Sequence, residues 1–287
     1  MAIDRLQNGI RKTKNPSVVD LTMPWEGIPG NFKGEGGLAE AYGRYCRELL
    51  MVLKGLVPAV RMPFGVLALQ GAAGLQVLEN TLNTAGELGY YVILEAPEFY
   101  GPIGAEQTAR LLLGEDRFAC QAVILPAYLG SDALRPFLPY CKAGKSVFLV
   151  SRTGNKSGGE IQDLRSGSRL VHGAAAEMAN RHGQGIYGKC GYSQVGILAS
   201  AGAEESTRNL RRQYDRAFLL LDGMDYSSAN AKKCAAAFDR FGHGAAVCAG
   251  TSITCAWQED SGADCLTAAL NMAQRMKRNL TNYVTIL

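Results

Sequence analysis

The chain has 287 residues, 47% of them hydrophobic and 20% charged, which is enough to bury one large core and to close an α/β barrel as a single domain. Its net charge of +4 comes from 30 basic against 26 acidic residues spread along the sequence, too weak and dispersed for a nucleic-acid stripe. No run of eighteen apolar residues exists to span a membrane, so neither nucleic acid nor membrane is an expected partner. The opening "MAIDRLQNGIRKTKN" is amphipathic and lacks the apolar stretch of a leader, which predicts an extra N-terminal helix and a cytoplasmic protein.

Short apolar, β-branched runs then alternate with longer helix-period segments. Strands are predicted at 17–21, 58–62, 90–96, 122–127, 146–152, 195–200, 217–223 and 244–250. Between them lie helix patterns such as "LAEAYGRYCRELLMVLKG", "GLQVLENTLNTAGELG", "SRLVHGAAAEMANRHG" and "EESTRNLRRQY", with a last helix over about 265–286. The strands are near-continuously hydrophobic, as expected when both faces of a parallel sheet are covered. Eight strand–helix units predict one (β/α)8 barrel over 1–287. An open doubly wound sheet is the alternative, but "VVDLTMPWEGIPG" lacks the Gly-rich turn such a sheet carries after its first strand. The one long loop, 152–168, is rich in Gly, Ser and Lys and reads as a mobile lid, an anion-binding loop or a solvated connection.

The eight cysteines form no C-x-x-C pair and read as small buried hydrophobes, with Cys248 and Cys255 the pair to examine as reactive thiols. His172 and His182 fall on one helix pattern, far from His243, with no ligand spacing. No metal and no cofactor is expected.

The stretch "LPAYLGSDALRPFLPY" (125–140), followed by "VFLVSRTGNKSGGEIQDL" (147–164), resembles the bacterial type 2 branch of the orotidine 5′-phosphate decarboxylase family. The segments "DRLQNGIRKTKNPSVVDLTMPWEGIP", "VPAVRMPFGVLALQGAAGLQVLENTL" and "GYSQVGILASAGAEE" follow the same order and spacing. The resemblance implies a (β/α)8 barrel, a homodimer with sites at the subunit interface, and a place in pyrimidine biosynthesis. It also implies a chemistry in which a lysine ammonium stabilises and protonates a carbanion, flanking aspartates hold that lysine, and an arginine grips the phosphate.

Those positions have changed. The family's Asp-x-Lys-x-x-Asp at the third strand end falls on Glu95, Pro97 and Tyr100, and its second-strand lysine on Arg61. Proline has no proton to give, and an arginine stays charged near neutrality. The aspartate after the first strand falls on Thr22, with Asp20 two residues away. The phosphate arginine falls near Thr251, and "DGMDYSSAN" (222–230) replaces the phosphate loop. The serine that contacts the pyrimidine falls on Gly154, beside Thr153 and Asn155. The lysines nearest in sequence, Lys54 and Lys142, lie on helix-like segments, while Lys156 sits in the 152–168 loop and none lies between 55 and 141.

Three readings follow. The chain is a decarboxylase-like protein that binds a small phosphorylated or nucleotide ligand, or regulates, without decarboxylating. Alternatively it is a new enzyme using Glu95, Arg61, Glu98 and Tyr100, with Asp222 or Asp225 joining; the simpler expectation is that Glu95 and Arg61 pair to fill the lysine's space. The third is a genuine decarboxylase with displaced residues. Thr153, Asn155, Asp222, Thr251 and Ser252 are the candidate ligand contacts, the last two through hydroxyls after the eighth strand. Loss of the phosphate arginine removes a contact worth ~1.5–3 kcal/mol.

Overall fold

The computed structural model describes residues 1–34, 36–96, 101–115, 117–224, 228–259 and 263–287. All eight expected strands form: β1 (Ser17–Asp20), β2 (Ala59–Pro63), β3 (Tyr91–Glu95), β4 (Ala122–Leu125), β5 (Ser146–Val150), β6 (Val195–Ser200), β7 (Leu219–Asp222) and β8 (Ala245–Ala249). Each pairs in parallel with its neighbours, and β1 pairs with both β2 and β8, which closes the barrel and excludes the open sheet. The strands are buried nearly throughout because helices cover the outside while side chains fill the inside.

The longer helices are α1 (Ala2–Thr13), α2 (Gly37–Val52), α3 (Gly71–Glu87), α4 (Pro102–Ala109), α5 (Val171–Gly183), α6 (Glu204–Gln213), α7 (Ser228–Cys234) and α8 (Cys265–Thr281). The extra helix α1 buries Ile3, Leu6 and Ile10 under the N-terminal ends of the strands. There the Ile3 N–H donates to Gln194 Oε1 (3.1 Å) and Gln7 Oε1 accepts from the Gly244 N–H (3.0 Å), just before β6 and β8. With that end plugged, the C-terminal ends of the strands are the open face.

Register sets what points inward. Level pairs run Asp20–Arg61, Arg61–Ile93, Glu95–Ile124, Ile124–Phe148, Phe148–Gly196 and Ser200–Asp222. Phe148 fills the interior because Gly196 makes room for it. A Cβ at Gly196 would lie 2.6 Å from the Phe148 ring and 2.8 Å from the Phe218 carbonyl oxygen.

The 152–168 segment carries more structure than its composition suggests. It forms a turn at Lys156–Gly158, a short helix at Gly159–Gln162, and a hairpin pairing Arg165–Ser166 with Arg169–Leu170. Arg152 holds Asp163 through two bonds of 2.9 and 2.8 Å. Short helical turns over 131–142 also join β4 to β5, in line with the helix-like segment expected around Lys142.

All eight cysteines are free thiols, and six are buried, Cys248 and Cys255 among them. Burial pushes both of these thiols up, against the low pKa that a reactive cysteine needs. His172 and His182 both lie on α5, as expected. Among the described residues no helix is long and apolar enough to cross a membrane, and no group of three or more His, Cys, Asp or Glu could hold a metal ion.

Candidate functional site

At the open face one cation meets three carboxylates. Arg61, at the third position of β2, is buried inside the barrel with only 9% of its side chain exposed. Its Nη1 lies 2.9 Å from Asp222 Oδ1 and 3.3 Å from Asp20 Oδ2, and its Nη2 lies 3.2 Å from Glu95 Oε1. Asp20, Glu95 and Asp222 are the last residues of β1, β3 and β7, so the sheet delivers all three to one level. The expected Glu95–Arg61 pair is present, and it is the most exposed arm of a larger network.

The electrostatics follow from sharing. Burial opposes the Arg61 charge, yet Asp20 and Asp222 outweigh it and hold the guanidinium above its already high range. Asp20 moves the other way from an ordinary ion-paired acid. Burial pushes its carboxyl up despite Arg61, and neighbouring Asp222 adds to the push, because one guanidinium serves three carboxylates. The Cys248 thiol on β8 faces the same guanidinium, and Arg61 Nε is buried with no acceptor among the described residues.

Backbone ties fix the acids. The Thr22 N–H donates to Asp20 Oδ1 (2.9 Å), the Leu21 N–H donates to the Arg61 carbonyl (2.9 Å), and the Tyr42 hydroxyl donates to the Leu21 carbonyl. At the first-strand exit it is therefore Asp20 that enters the network, while Thr22 supports it through its main chain. Gly250, leading into the short helix Thr251–Thr254, packs 3.6 Å from Asp20 Cβ, measured from the place a side chain would begin. A Cβ at Gly154 would likewise sit 3.5 Å from the Asp222 carbonyl oxygen and 3.7 Å from Ser200 Oγ.

The remaining described candidates do not join the network. Thr153 Oγ1 donates to Asn155 Oδ1 (2.5 Å), and Gln162 bridges both the Thr153 N–H (2.9 Å) and its hydroxyl (2.8 Å), so these side chains brace their own loop. Thr251 is exposed and Ser252 half-buried. Neither hydroxyl has a partner among the described residues. Pro97, Glu98, Tyr100 and Asp225 lie outside the described residues.

A cleft of about 840 Å³ opens beside Glu95 and runs across the ends of β4 and β5 to α5. Its walls include Ile124, Pro126, Val150, Ile161 and Met178, with Gln162, Arg169 and Arg181 among its polar members. Of the sequence-predicted candidates among the described residues, only Glu95 lines it. The sequence singled out the 152–168 segment as a candidate lid or anion-binding loop, but not its joint wall with α5, which forms only through tertiary packing.

No family model matches the chain. Among curated proteins, it is 28% identical to the orotidine 5′-phosphate decarboxylase of Rhodopirellula baltica over 257 residues, covering 85% of this chain and 84% of that one. It is 25% identical to the corresponding protein of Clostridium novyi over 263 residues, covering 90% of each. Among solved structures, the OMP decarboxylase of Leishmania donovani superposes with a TM-score of 0.74 at 21% identity, covering 97% of this chain and 98% of that one. The orotidine 5′-monophosphate decarboxylase of Plasmodium berghei superposes with a TM-score of 0.76 at 11% identity, covering 98% of each. These structures share the barrel.

Proposed function

We propose that the chain is a member of the orotidine 5′-phosphate decarboxylase family that does not decarboxylate and keeps the barrel as a small-molecule site, a kinship supported by the 28% identity to the Rhodopirellula baltica protein. The observation that carries this reading is the engagement of Arg61 by Asp20, Glu95 and Asp222. Three carboxylates against one guanidinium leave a net charge of −2 when all are ionised. Orotidine 5′-phosphate brings a carboxylate and a phosphate into such a mouth. Two unit charges ~6 Å apart at an effective dielectric of about 20 interact by roughly 3 kcal/mol, here as repulsion.

The family chemistry also needs a proton donor at the carbanion. Arg61 is held charged, so it cannot serve. The sequence match that puts Pro97 at the catalytic lysine supports the same reading. So does the tyrosine at position 100, which removes the acid a partner subunit would receive in a mixed dimer. The kinship favours a cytoplasmic homodimer, and size-exclusion chromatography with light scattering tests that assembly.

The ligand on this reading is small and largely apolar, held in the cleft beside Glu95, with regulation through that occupancy. Glu95 favours a second reading, a new enzyme on the old barrel. It is 40% exposed and faces both the network and the cleft, where a carboxylate can act as a general base. Calorimetric titration with UMP tests the loss of nucleotide binding. Millimolar binding or none is expected, and a micromolar Kd would overturn the reading.

A further inference from the structure

Along the same cleft, a serine hydroxyl within the 125–140 stretch meets a histidine. Ser131 Oγ lies 3.0 Å from His182 Nε2, and Arg181 Nη2 lies 3.5 Å from the same oxygen. Ser131 and Arg181 both line the cleft. We propose that Ser131 and His182 form a nucleophilic dyad that hydrolyses carboxylic esters with a short apolar acyl chain. The inference rests on the reading of this cleft as a small-molecule site and names its substrate class.

The local chain explains the placement. After β4 the backbone turns at Gly130, whose φ of 67° and ψ of −150° is a conformation reserved in practice for glycine. That turn presents Ser131 toward α5, and His182 arrives from the last turn of α5. The Ser131 hydroxyl makes no bond to its own helical turn among the described residues, so it is not spent as a cap. His182 is half-buried, and burial together with Arg181 and Arg135 holds its imidazole below the usual range, which keeps it neutral and able to accept a proton. No carboxylate holds its Nδ1 among the described residues, so the pair is a dyad rather than a triad.

The steps balance with water as the second reactant. Ser131 Oγ attacks the ester carbonyl carbon as its proton passes to His182 Nε2. The tetrahedral intermediate collapses, the bond to the alcohol oxygen breaks, and the imidazolium returns the proton to the leaving alkoxide. The same imidazole then deprotonates water, which attacks the acyl–Ser131 ester and frees the acid and the serine. Arg181 Nη2, 3.5 Å from Ser131 Oγ, is within reach of the oxyanion that forms on the carbon Ser131 attacks. The substrate class follows from the walls: Ile124, Pro126, Val150, Val171, Ala174 and Met178 suit an acyl chain, and about 840 Å³ holds a molecule of small-ligand size.

The test treats the full chain with a fluorophosphonate probe and assays p-nitrophenyl butyrate. The expected result is a mass adduct on the peptide carrying Ser131 and saturable hydrolysis. Ser131→Ala should abolish the adduct, and His182→Gln should lower kcat by about 10²–10⁴-fold. Absence of the adduct from the wild-type chain overturns the proposal without reference to any variant. So does a folded Ser131→Ala protein that hydrolyses the ester at the wild-type rate.

Discussion

Removing Arg61 should unfold a large part of this protein's stability and should do so in a pH-dependent way. In Arg61→Met the shape is roughly kept, but Asp20 (13% exposed) and Asp222 (26% exposed) lose their cation while remaining inside the barrel mouth. Breaking a buried pair by removing one partner costs about 3–5 kcal/mol, because a charge is left uncompensated. The Glu95 arm, at 40% exposure, adds only ~0–1 kcal/mol after solvent screening. A loss near 4 kcal/mol is therefore expected from the midpoint and slope of urea unfolding at pH 7, a large share of the 5–15 kcal/mol typical of a domain. The sign with pH is fixed by Asp20, whose folded pKa is already raised and rises further without Arg61. Its folded-state preference for the proton is fully satisfied below the unfolded value of 3.8 and is lost as pH rises through the folded value. The deficit of the variant should thus shrink as pH falls from 7 toward 4. Asp20→Asn and Asp222→Asn added to Arg61→Met should recover most of it, since neutral replacement of a whole buried cluster is often nearly neutral. A single Arg61→Met protein within about 1 kcal/mol of wild type at pH 7 would refute the reasoning.

Three further outcomes are expected. Gly196→Ala places a methyl 2.6 Å from the Phe148 ring and 2.8 Å from a backbone oxygen, so it should destabilise by at least the ~1–3 kcal/mol of an overpacked core, read by chemical denaturation. Gly154→Ser meets neighbours only at 3.5 Å and beyond, so its unfolding midpoint should stay within the ~0.5 kcal/mol typical of harmless substitutions, and calorimetry should find no UMP binding created by it. Burial pushes the Asp239 carboxyl up, but the N–H groups of His243 and Phe241 and the Tyr192 hydroxyl outweigh it and hold it below the usual range. Its contribution is present above the unfolded value of 3.8 and lost as pH falls through the lower folded value, so Asp239→Asn should cost ~1 kcal/mol at pH 6 and progressively less as pH falls below 3.8.

The barrel was legible because parallel strands covered on both faces read as short continuous apolar runs, and eight of them alternate with helical periods. Arg61, Glu95 and Asp222 were legible as charges where such runs end. Their union was only partly so. β1, β2 and β3 are neighbours in sequence order, which predicts contact among Asp20, Arg61 and Glu95. Asp222 lies 161 residues from Arg61 and reaches it across the barrel, so it could be offered beside Asp225 only on the assumption that the barrel closes. Thr153 and Asn155 read as ligand contacts from the family resemblance, yet Gln162 ties Thr153 down, and a loop's internal hydrogen bonding leaves no periodic trace. The meeting of Ser131 with His182 spans 51 residues and two elements with no shared motif, and the cleft between them belongs to packing alone.

Turnover of orotidine 5′-phosphate is the most direct test, followed by the change in ultraviolet absorbance at high protein concentration. The protein should come from a host strain lacking its own decarboxylase, since trace contamination would mimic activity. No turnover is expected, because the mouth offers Arg61 and three carboxylates and the matched lysine position is Pro97. Turnover that survives purification from such a host would contradict the loss of decarboxylation and return the chain to pyrimidine biosynthesis.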